Sequence, residues 1–379
     1  MLSLPPLSLY VHIPWCVRKC PYCDFNSHQH LGELPEQAYV EALISDLEQD
    51  LAWVQGRKLQ SIFFGGGTPS LFSAAAVEKI LHGVEQRISF EQSIEITLEA
   101  NPGTSERQKF ADFRSAGINR LSIGVQSFDD HQLQGLGRIH DSQQARRAIE
   151  SAQSAGFERL NIDLMHGLPE QTTASAMGDL DIAINSGVSH ISWYQLTIEP
   201  NTEFFSRPPQ LPVDDQLAEI YEAGRNRLQR SGFEQYEVSA FALAGAVCQH
   251  NINYWQFGDY LGIGAGAHGK ITLPEKNQIT RMHKTRRPEH YLNSAGAALV
   301  SAVPIDKKDL PLEFMMNGLR LKAGVPAAFF PARTGLEEQH IRDQINSLRD
   351  QGLLEDNSAT YCSSPLGYQF LNTLLQRFS

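Results

Sequence analysis

The sequence predicts an α/β protein: a partial, three-quarter (β/α)6 barrel of the TIM type, followed by a small winged-helix-like α+β domain. The first observation behind this prediction is that apolar, strand-like runs alternate with stretches of helical periodicity over residues 1–232. This alternation is typical of a parallel sheet with right-handed crossovers. Six strand–helix units are too few to close an eight-stranded barrel, so we expect an open one.

Each unit of the predicted barrel consists of a strand and then a helix. Leu, Val and Ile cluster in the strands, whereas apolar residues recur every three or four positions in the helices. The expected strands are residues 7–13, 59–64, 94–99, 120–126, 159–165 and 190–196. The expected helices are residues 36–55, 74–87, 105–116, 141–155, 173–185 and 214–231.

The second observation is that polar or glycine-rich groups follow the ends of the predicted strands. A Gly-Gly-Gly-Thr run follows the second strand, and Glu99, Gln126 and Asp163 lie at or near the ends of the next three. Parallel barrels place their active site at the carboxyl face of the strands. We therefore expect a functional site at this rim.

Two further segments follow the predicted barrel, and their sequence patterns differ from it and from each other. Residues 233–303 are predicted to cover the barrel, with a strand at residues 235–241 and a glycine-rich loop at 262–269. Residues 304–379 are predicted to form the winged-helix-like domain. Its helices are expected at about 314–321, 338–350 and 367–378, with a strand pair around 353–362. Residues 305–379 hold eight basic and nine acidic side chains, so we expect no binding of nucleic acid there.

Composition limits where the protein works and what it binds. The 379-residue chain is 41% hydrophobic and 20% charged, as in ordinary globular proteins. A net charge of −11 disfavours general binding to nucleic acid. No secretory leader opens the chain and no apolar run approaches about 18 residues, so we expect a cytoplasmic protein without an integral membrane segment.

Three of the five cysteines lie within eight positions, as Cys16, Cys20 and Cys23. Thiolates at this spacing can bind one metal centre from a single loop, and three ligands leave one iron of a four-iron cluster open. The alternative is a zinc site of three cysteines and one histidine, with His28 or His30 as the fourth ligand.

The run Gly65-Gly66-Gly67-Thr68 has two interpretations. Three glycines at a strand end often form only a tight turn. The run is not a phosphate-binding loop, because the lysine of that motif is missing. A functional use would be backbone that lies close to a bound ligand.

The Cys-x3-Cys-x2-Cys motif, with Tyr22 before its last cysteine, resembles the signature of the radical S-adenosylmethionine (SAM) superfamily. The resemblance implies a [4Fe–4S] cluster held by the three cysteines, whose open iron binds SAM and which, once reduced, generates a 5′-deoxyadenosyl radical. It also implies the radical SAM barrel fold. Carried over by motif, the expected SAM contacts are Tyr10, Gly66, Gly67, Thr68, Glu99, Gln126, Arg138 and Asp163.

The EANP, GVQSF, LGRIH and NIDLMHGLP runs are similar to those of the branch that contains oxygen-independent coproporphyrinogen oxidase (HemN) and the haem chaperones of the HemW type. The oxidases carry a fourth cysteine where this chain has Phe25, and they have a long extension before the first strand. These departures favour the chaperone branch, which implies binding of haem and its delivery to acceptor proteins, with respiratory enzymes as candidates. The alternative is the oxidase or another radical SAM enzyme of porphyrin metabolism. A third class is a metal-dependent regulator with a zinc loop and a DNA-binding winged helix.

A second motif, the HNxxYW run from His250 to Trp255, is associated with haem in the chaperone branch. The resemblance makes His250 the expected haem ligand or attachment residue, with His268 and His283 as rival ligands. The competing interpretation is that His250 only pins its segment to the barrel. Residues 270–287 hold six basic side chains against one acidic one, which form either a solvated loop or a site for the haem propionates.

Overall fold

The computed structural model describes residues 2–30, 32–103, 106–294 and 297–378. The predicted partial barrel is confirmed. Its six strands lie side by side in chain order and are all parallel. They are β1 (Leu7–Ile13), β2 (Leu59–Gly66), β3 (Phe90–Ala100), β4 (Arg120–Gln126), β5 (Arg159–His166) and β6 (His190–Gln195).

Strand β1 lies inside the sheet, between two parallel partners. Its apolar side chains Leu7, Leu9, Val11 and Ile13 are each at most 1% exposed. Ser8, Tyr10 and His12 alternate with these residues, so the apolar side chains lie on one face of the strand and the polar ones on the other. The one half-buried residue of this strand is Tyr10, which faces the inside of the barrel rim.

Residues 234–304 extend the sheet at both ends. The additional strands are β7 (Glu234–Glu237), β8 (Ala240–Ala242), β9 (Asp259–Ile263), β10 (His268–Leu273), β11 (Gln278–Lys284) and β12 (Leu299–Pro304). Among the described residues, twelve strands form one sheet in the order β12-β11-β10-β9-β1-β2-β3-β4-β5-β6-β8-β7. Strand β9 is parallel to β1, and β8 is antiparallel to β6. The segment expected only to cover the barrel thus completes its wall, and the single strand expected at residues 235–241 is a hairpin.

Helices follow the barrel strands, as the alternating pattern predicts. They are Glu36–Asp50, Ala74–Glu85, Glu106–Ser115, Ser142–Ser154, Thr173–Asn185 and Asp214–Arg230. The start predicted at Ser105 lies outside the described residues. The first helix ends earlier than expected, at Asp50, and a 3-10 turn continues the chain over Leu51–Trp53. Two of the helices begin at capping boxes, in which Asp141 and Thr172 accept from the backbone N–H three residues later.

The C-terminal part has its own apolar core, in which Phe314, Phe330 and Leu348 are fully buried. Its helices are Leu310–Gly318, Phe329–Thr334, Arg342–Asp350, Pro365–Gln369 and Leu371–Leu375. The strand Thr360–Tyr361 pairs with Val325–Pro326 rather than within the expected segment 353–362, where only an isolated bridge joins Leu354 to Ser363. Phe257 packs edge-on against Phe314, so this core is continuous with the extended sheet. The predicted boundaries at residues 232 and 303 stay predictions.

Candidate functional site

The cysteine loop begins where β1 ends. Its backbone folds back on itself: Trp15–Cys16 pairs in parallel with His28–Gln29, and the N–H of Cys23 donates to the carbonyl of Cys20 at 3.1 Å. Cys16 is buried, whereas Cys20 and Cys23 are half-buried. All three side chains line one cavity of about 260 Å³ at the carboxyl ends of the strands, which we call the cluster cavity.

The glycine run after β2 is hydrogen-bonded to the cysteine loop. The N–H of Gly67 donates to the carbonyl of Ile13, and that of Thr68 to the carbonyl of Trp15, both at 2.8 Å. A Cβ atom on Gly67 would lie 2.6 Å from the carbonyl oxygen of Trp15. Only glycine therefore permits this close approach of two backbones. The glycine run therefore forms a tight turn and also places its backbone at the wall of the cluster cavity.

Two carboxyl groups face the cluster cavity, one from β3 and one from β5, with β4 between them. Glu99 accepts from the N–H of Gly66 at 3.3 Å, while Asp163 accepts from Ser122 and Asn161 at 2.9 and 2.8 Å. Burial, and next the charge of Asp163, raise the pKa of Glu99 to about 8. Burial also raises the pKa of Asp163, against the hydrogen bonds that lower it. The pair therefore suits hydroxyl groups or a cation, either of which would relieve the cost of burying two carboxylates.

Gln126 has a backbone conformation that side chains rarely adopt. Its φ is +73°, in the left-handed region. The residue is buried, with 6% of its surface exposed. The hydroxyl of Tyr194 donates to Gln126 Oε1 at 2.6 Å and holds the amide at the cavity wall. Unfavourable backbone geometry of this kind is concentrated at functional sites.

Arg138 connects the rim to the cysteine loop. Its guanidinium donates to Asn101 Oδ1 at 2.5 Å, to the carbonyl of Gly124 at 2.7 Å and to Cys20 Sγ at 3.6 Å. Its Nε atom is buried with no hydrogen-bond partner among the described residues. The guanidinium is thus placed to stabilise negative charge on the Cys20 sulfur. Asn101, which sequence reasoning missed, lies in the EANP run beside Glu99.

The structure brings most of the predicted site residues together. The residues that line the cluster cavity are Cys16, Cys20, Cys23, Gly66, Gly67, Thr68, Glu99, Gln126, Arg138 and Asp163. Tyr10 lies instead in an adjacent cavity, where its hydroxyl is hydrogen-bonded to His12 Nδ1 at 3.1 Å. The two cavities share Phe25, Gly66 and Glu99.

His250 lies apart from both cavities. It sits on the short helix Gln249–Trp255 and is 4% exposed. Its Nδ1 is hydrogen-bonded to Ser61 Oγ at 3.0 Å, and its ring packs between Phe63 and Tyr254. Burial lowers the pKa of His250 to about 3, so the imidazole is neutral. These contacts are those of a residue that pins its helix to β2, and the role of His250 as haem ligand stays a prediction.

The two histidines of the zinc alternative differ in their hydrogen bonding. His30 Nε2 is hydrogen-bonded to the carbonyl of Glu33 at 2.9 Å, and His28 Nε2 is buried without a partner in the described part of the chain. Among the described residues, no three side chains of His, Cys, Asp or Glu are close enough together to bind one metal ion. In an iron–sulfur cluster each thiolate binds its own iron, so the three cysteines need not surround one ion.

Comparison with known proteins identifies the family. Residues 10–181 match the radical SAM superfamily, and residues 305–370 match the HemN C-terminal domain. The chain is 51% identical to the heme chaperone HemW of Escherichia coli, over 100% of this chain and 99% of that protein. The chain belongs to the HemW family.

Other relatives also cover nearly the whole chain. The heme chaperone HemW of Haemophilus influenzae is also 51% identical, over 100% of this chain and 99% of its own length. A mitochondrial radical S-adenosyl methionine domain-containing protein 1 from Bos taurus is 37% identical over 97% of this chain and 86% of its length. The resemblance inferred from the motifs is confirmed.

The fold is that of a solved radical SAM enzyme. Coproporphyrinogen III oxidase (HemN) from Escherichia coli superimposes with a TM-score of 0.83, over 99% of this chain and 90% of that one, at 21% identity. At this identity the likeness shows the fold alone. Radical SAM membership implies a [4Fe–4S] cluster and SAM. The cluster cavity fits both, because three cysteine side chains, exposed backbone and a buried guanidinium with an unpartnered Nε meet there.

No helix in the described ranges combines the length and the apolar character needed to cross a bilayer.

Proposed function

We propose that the protein is a haem chaperone that holds a [4Fe–4S] cluster and SAM, binds haem and passes it to acceptor proteins. The observation that carries this proposal is the 51% identity, over the whole chain, to the heme chaperone HemW of Escherichia coli. Respiratory enzymes are the candidate acceptors. The compartment that we propose is the cytoplasm, without nucleic acid as a partner.

The residues of the cluster cavity have separate roles in this proposal. Cys16, Cys20 and Cys23 hold the cluster, which when bound supplies an electron for the cleavage of SAM. Arg138, 3.6 Å from Cys20 Sγ, stabilises the negative charge of that thiolate. Gly66 and Gly67 line the cavity and offer their backbone to the proposed SAM.

The remaining polar groups of the rim suit the rest of SAM. Glu99 and Asp163 provide acceptors for ribose hydroxyls or the ammonium group, and Gln126 provides an amide in a fixed orientation. Thr68, whose Oγ1 accepts from Asn101 Nδ2 at 2.9 Å, is held at the same wall. Tyr10 reaches SAM only if the ligand extends past Gly66 into the adjacent cavity.

The motif also makes His250 a proposed haem ligand. In the structure the helix Gln249–Trp255 packs its histidine into the barrel, so ligation would require this helix to move. Trp255 packs toward the C-terminal core, where Arg320 lies over its ring at 4.3 Å. Ligation by His250 is therefore tested by substitution, together with its rivals.

The proposal is tested by haem loading and transfer. Anaerobically reconstituted protein is incubated with haemin, freed of excess haem by gel filtration, and then mixed with apomyoglobin as a reporter of released haem. We expect a Soret band that co-elutes with the protein and then shifts to the spectrum of myoglobin. Protein that elutes without haem while its cluster is intact would overturn the proposal.

A further inference from the structure

The second cavity, next to the cluster cavity, is the larger of the two. It has a volume of about 620 Å³, within the range of roughly 300 to 1,000 Å³ typical of small-molecule sites. Its walls come from β1, from the cysteine loop and from the hairpin formed by β10 and β11. We call it the hairpin cavity, and it opens beside the proposed SAM site because Phe25, Gly66 and Glu99 line both.

Two histidines stand side by side on the hairpin wall. His268 and His283 lie directly opposite each other on antiparallel strands, with ring centroids 5.8 Å apart and ring planes at 30°. His283 Nδ1 is hydrogen-bonded to Ser301 Oγ at 2.6 Å. A hydrogen bond at one ring nitrogen fixes the imidazole and leaves the other nitrogen as the metal-binding atom. His283 is therefore a positioned ligand at the wall of a cavity.

The other walls suit a flat, largely apolar molecule. Tyr254 and Tyr260 stack on each other with centroids 4.2 Å apart, and Tyr10 completes this aromatic side. Phe25 lies at the mouth with 66% of its surface exposed. Aromatic rings that pack against a planar macrocycle bury large apolar areas. An exposed phenylalanine at a cavity mouth is placed to be covered by such a ligand.

The cationic residues of this region are not equivalent. Lys270 is buried in an ion pair with Asp259. Lys284 is buried in ion pairs with Asp46 and Asp50. Arg281 is paired with Glu313. Of the basic run at residues 270–287, the arginine that both is exposed and lines the hairpin cavity is Arg286. A guanidinium there matches the planar carboxylates of a propionate, although Asp24 lines the same cavity and opposes part of that attraction.

We propose that the hairpin cavity is the haem site, with His283 Nε2 as the axial ligand of the iron and Arg286 as the partner of a propionate. This inference rests on the proposed haem binding and names the residues that perform it. On binding, the imidazole lone pair replaces one water ligand of ferric haem, with no change in oxidation state. The site places haem next to SAM and the cluster, separated from them by Glu99 and Gly66.

The first experiment identifies the ligand. Haemin is titrated into cluster-loaded wild type, His283→Gly, His268→Ala and His250→Gln, and each is followed by its Soret spectrum, iron content and thermal melt. For His283→Gly we expect at least a tenfold weaker affinity, unchanged iron content and recovery of the spectrum with free imidazole. Loss of binding in His250→Gln, with normal binding in His283→Gly, would overturn the inference and leave the proposed function standing. A wild type that binds no haem would overturn both.

The second experiment tests the propionate partner and does not depend on the histidine variants. Arg286 and Arg287 are adjacent and both exposed, but Arg287 is not among the residues that line the cavity. We expect Arg286→Glu to weaken haemin binding about tenfold and Arg287→Glu to leave it unchanged. Haemin dimethyl ester, which lacks the propionate charges, should bind both variants equally. Equal effects of the two substitutions on haemin would rule out the propionate contact.

Discussion

At the scale of the residue, the cluster cavity brings two buried carboxyl groups and one guanidinium close together. Burial raises the pKa of both Glu99 and Asp163, and the charge of Asp163 adds to the rise at Glu99. Arg138 places a positive charge in the same cavity, with its guanidinium 3.6 Å from Cys20 Sγ.

The protonation of Glu99 predicts how stability depends on pH. Because burial raises its pKa from 4.5 to about 8, the folded protein retains a proton that the unfolded chain releases. The contribution of Glu99 to stability is therefore full below pH 4.5 and is lost as the pH rises to about 8. We expect the melting temperature of SAM-free wild type to fall relative to that of Glu99→Gln across this window. A difference between the two proteins that is constant with pH would contradict the assignment.

The cysteine loop predicts that substituting Cys20 and substituting Cys362 have different effects on iron content. Cys20→Ala should lose the reconstituted cluster and its reduced-state EPR signal, because one iron loses its thiolate. Cys362→Ala is the matched control: this half-buried thiol lies in the C-terminal part and bonds only weakly, to the carbonyls of Lys322 and Ser363. It should keep the full iron content. Full iron content in Cys20→Ala would refute the cluster assignment.

At the scale of the element, two local structures hold the site in place. The glycine run ties β2 to the cysteine loop by backbone hydrogen bonds. A buried ion cluster ties the hairpin to the barrel: Lys284 on β11 donates to Asp46 and Asp50 of helix Glu36–Asp50 at 2.6 and 2.8 Å. Asp46 also accepts from the hydroxyl of Tyr291 at 2.8 Å. The hairpin cavity therefore depends on residues far away in sequence.

The glycine run predicts a substitution with a local effect. Gly67→Ala should reduce cluster retention and SAM affinity, because its Cβ would meet backbone atoms of Pro14 and Trp15 at less than 3.0 Å. Gly178→Ala, in helix Thr173–Asn185, has open space and should be neutral or stabilising by up to about 1 kcal/mol. Iron content and equilibrium dialysis with SAM measure the difference. Equal behaviour of the two variants would show that the close approach is not needed.

The ion cluster predicts a large loss of stability from one lysine. Lys284→Met leaves two buried carboxylates without their cation and should cost about 3–5 kcal/mol in the free energy of unfolding. Lys308→Met is the control, because that side chain is 78% exposed and 3.9 Å from Asp306. Its effect should stay within about 0.5 kcal/mol. Chemical denaturation measures both, and similar midpoints for the two variants would disprove the role of the cluster.

At the scale of the whole molecule, the chain combines the fold of HemN with a site that differs from the one expected in the oxidases. Phe25 stands where the oxidase motif has its fourth cysteine, and it lies exposed between the two cavities. The shared fold shows that the barrel and the C-terminal domain are common architecture. It does not carry the oxidase reaction across at 21% identity.

This difference predicts that the protein does not decarboxylate coproporphyrinogen III. Cluster-loaded protein, SAM, a reductant and the substrate should yield no protoporphyrinogen by anaerobic product analysis, whereas authentic oxidase in parallel should do so. The variant Phe25→Cys should not acquire the activity, since one cysteine does not rebuild a substrate site. Sustained product formation by the wild type over many turnovers would show that the departure at Phe25 is unimportant.

The sequence alone determined the parts of this protein that depend on local pattern. Strand-like runs rich in Leu, Ile and Val, together with the helical periodicity between them, located all six barrel strands, because each of these patterns is local in sequence. The cysteine motif and the polar strand ends marked one rim, and ten of the predicted site residues do line one cavity there. The carboxyl ends of parallel strands lie at the same face of a barrel, so the positions of the strand ends in the sequence were sufficient to predict which residues share this cavity.

Only the tertiary structure decided what depends on contacts between distant residues. Pairing of β9 with β1 joins residues about 250 positions apart, and no local pattern encodes a partner at that distance. The same pairing creates the hairpin cavity, where His268 meets His283, and it places His250 in the core. Lys270 and Lys284 belong to the basic run for which the sequence predicts either a solvated loop or a propionate site. They are buried because Asp259, Asp46 and Asp50 meet them from elsewhere in the fold, and the free energy of a buried charge depends on such partners.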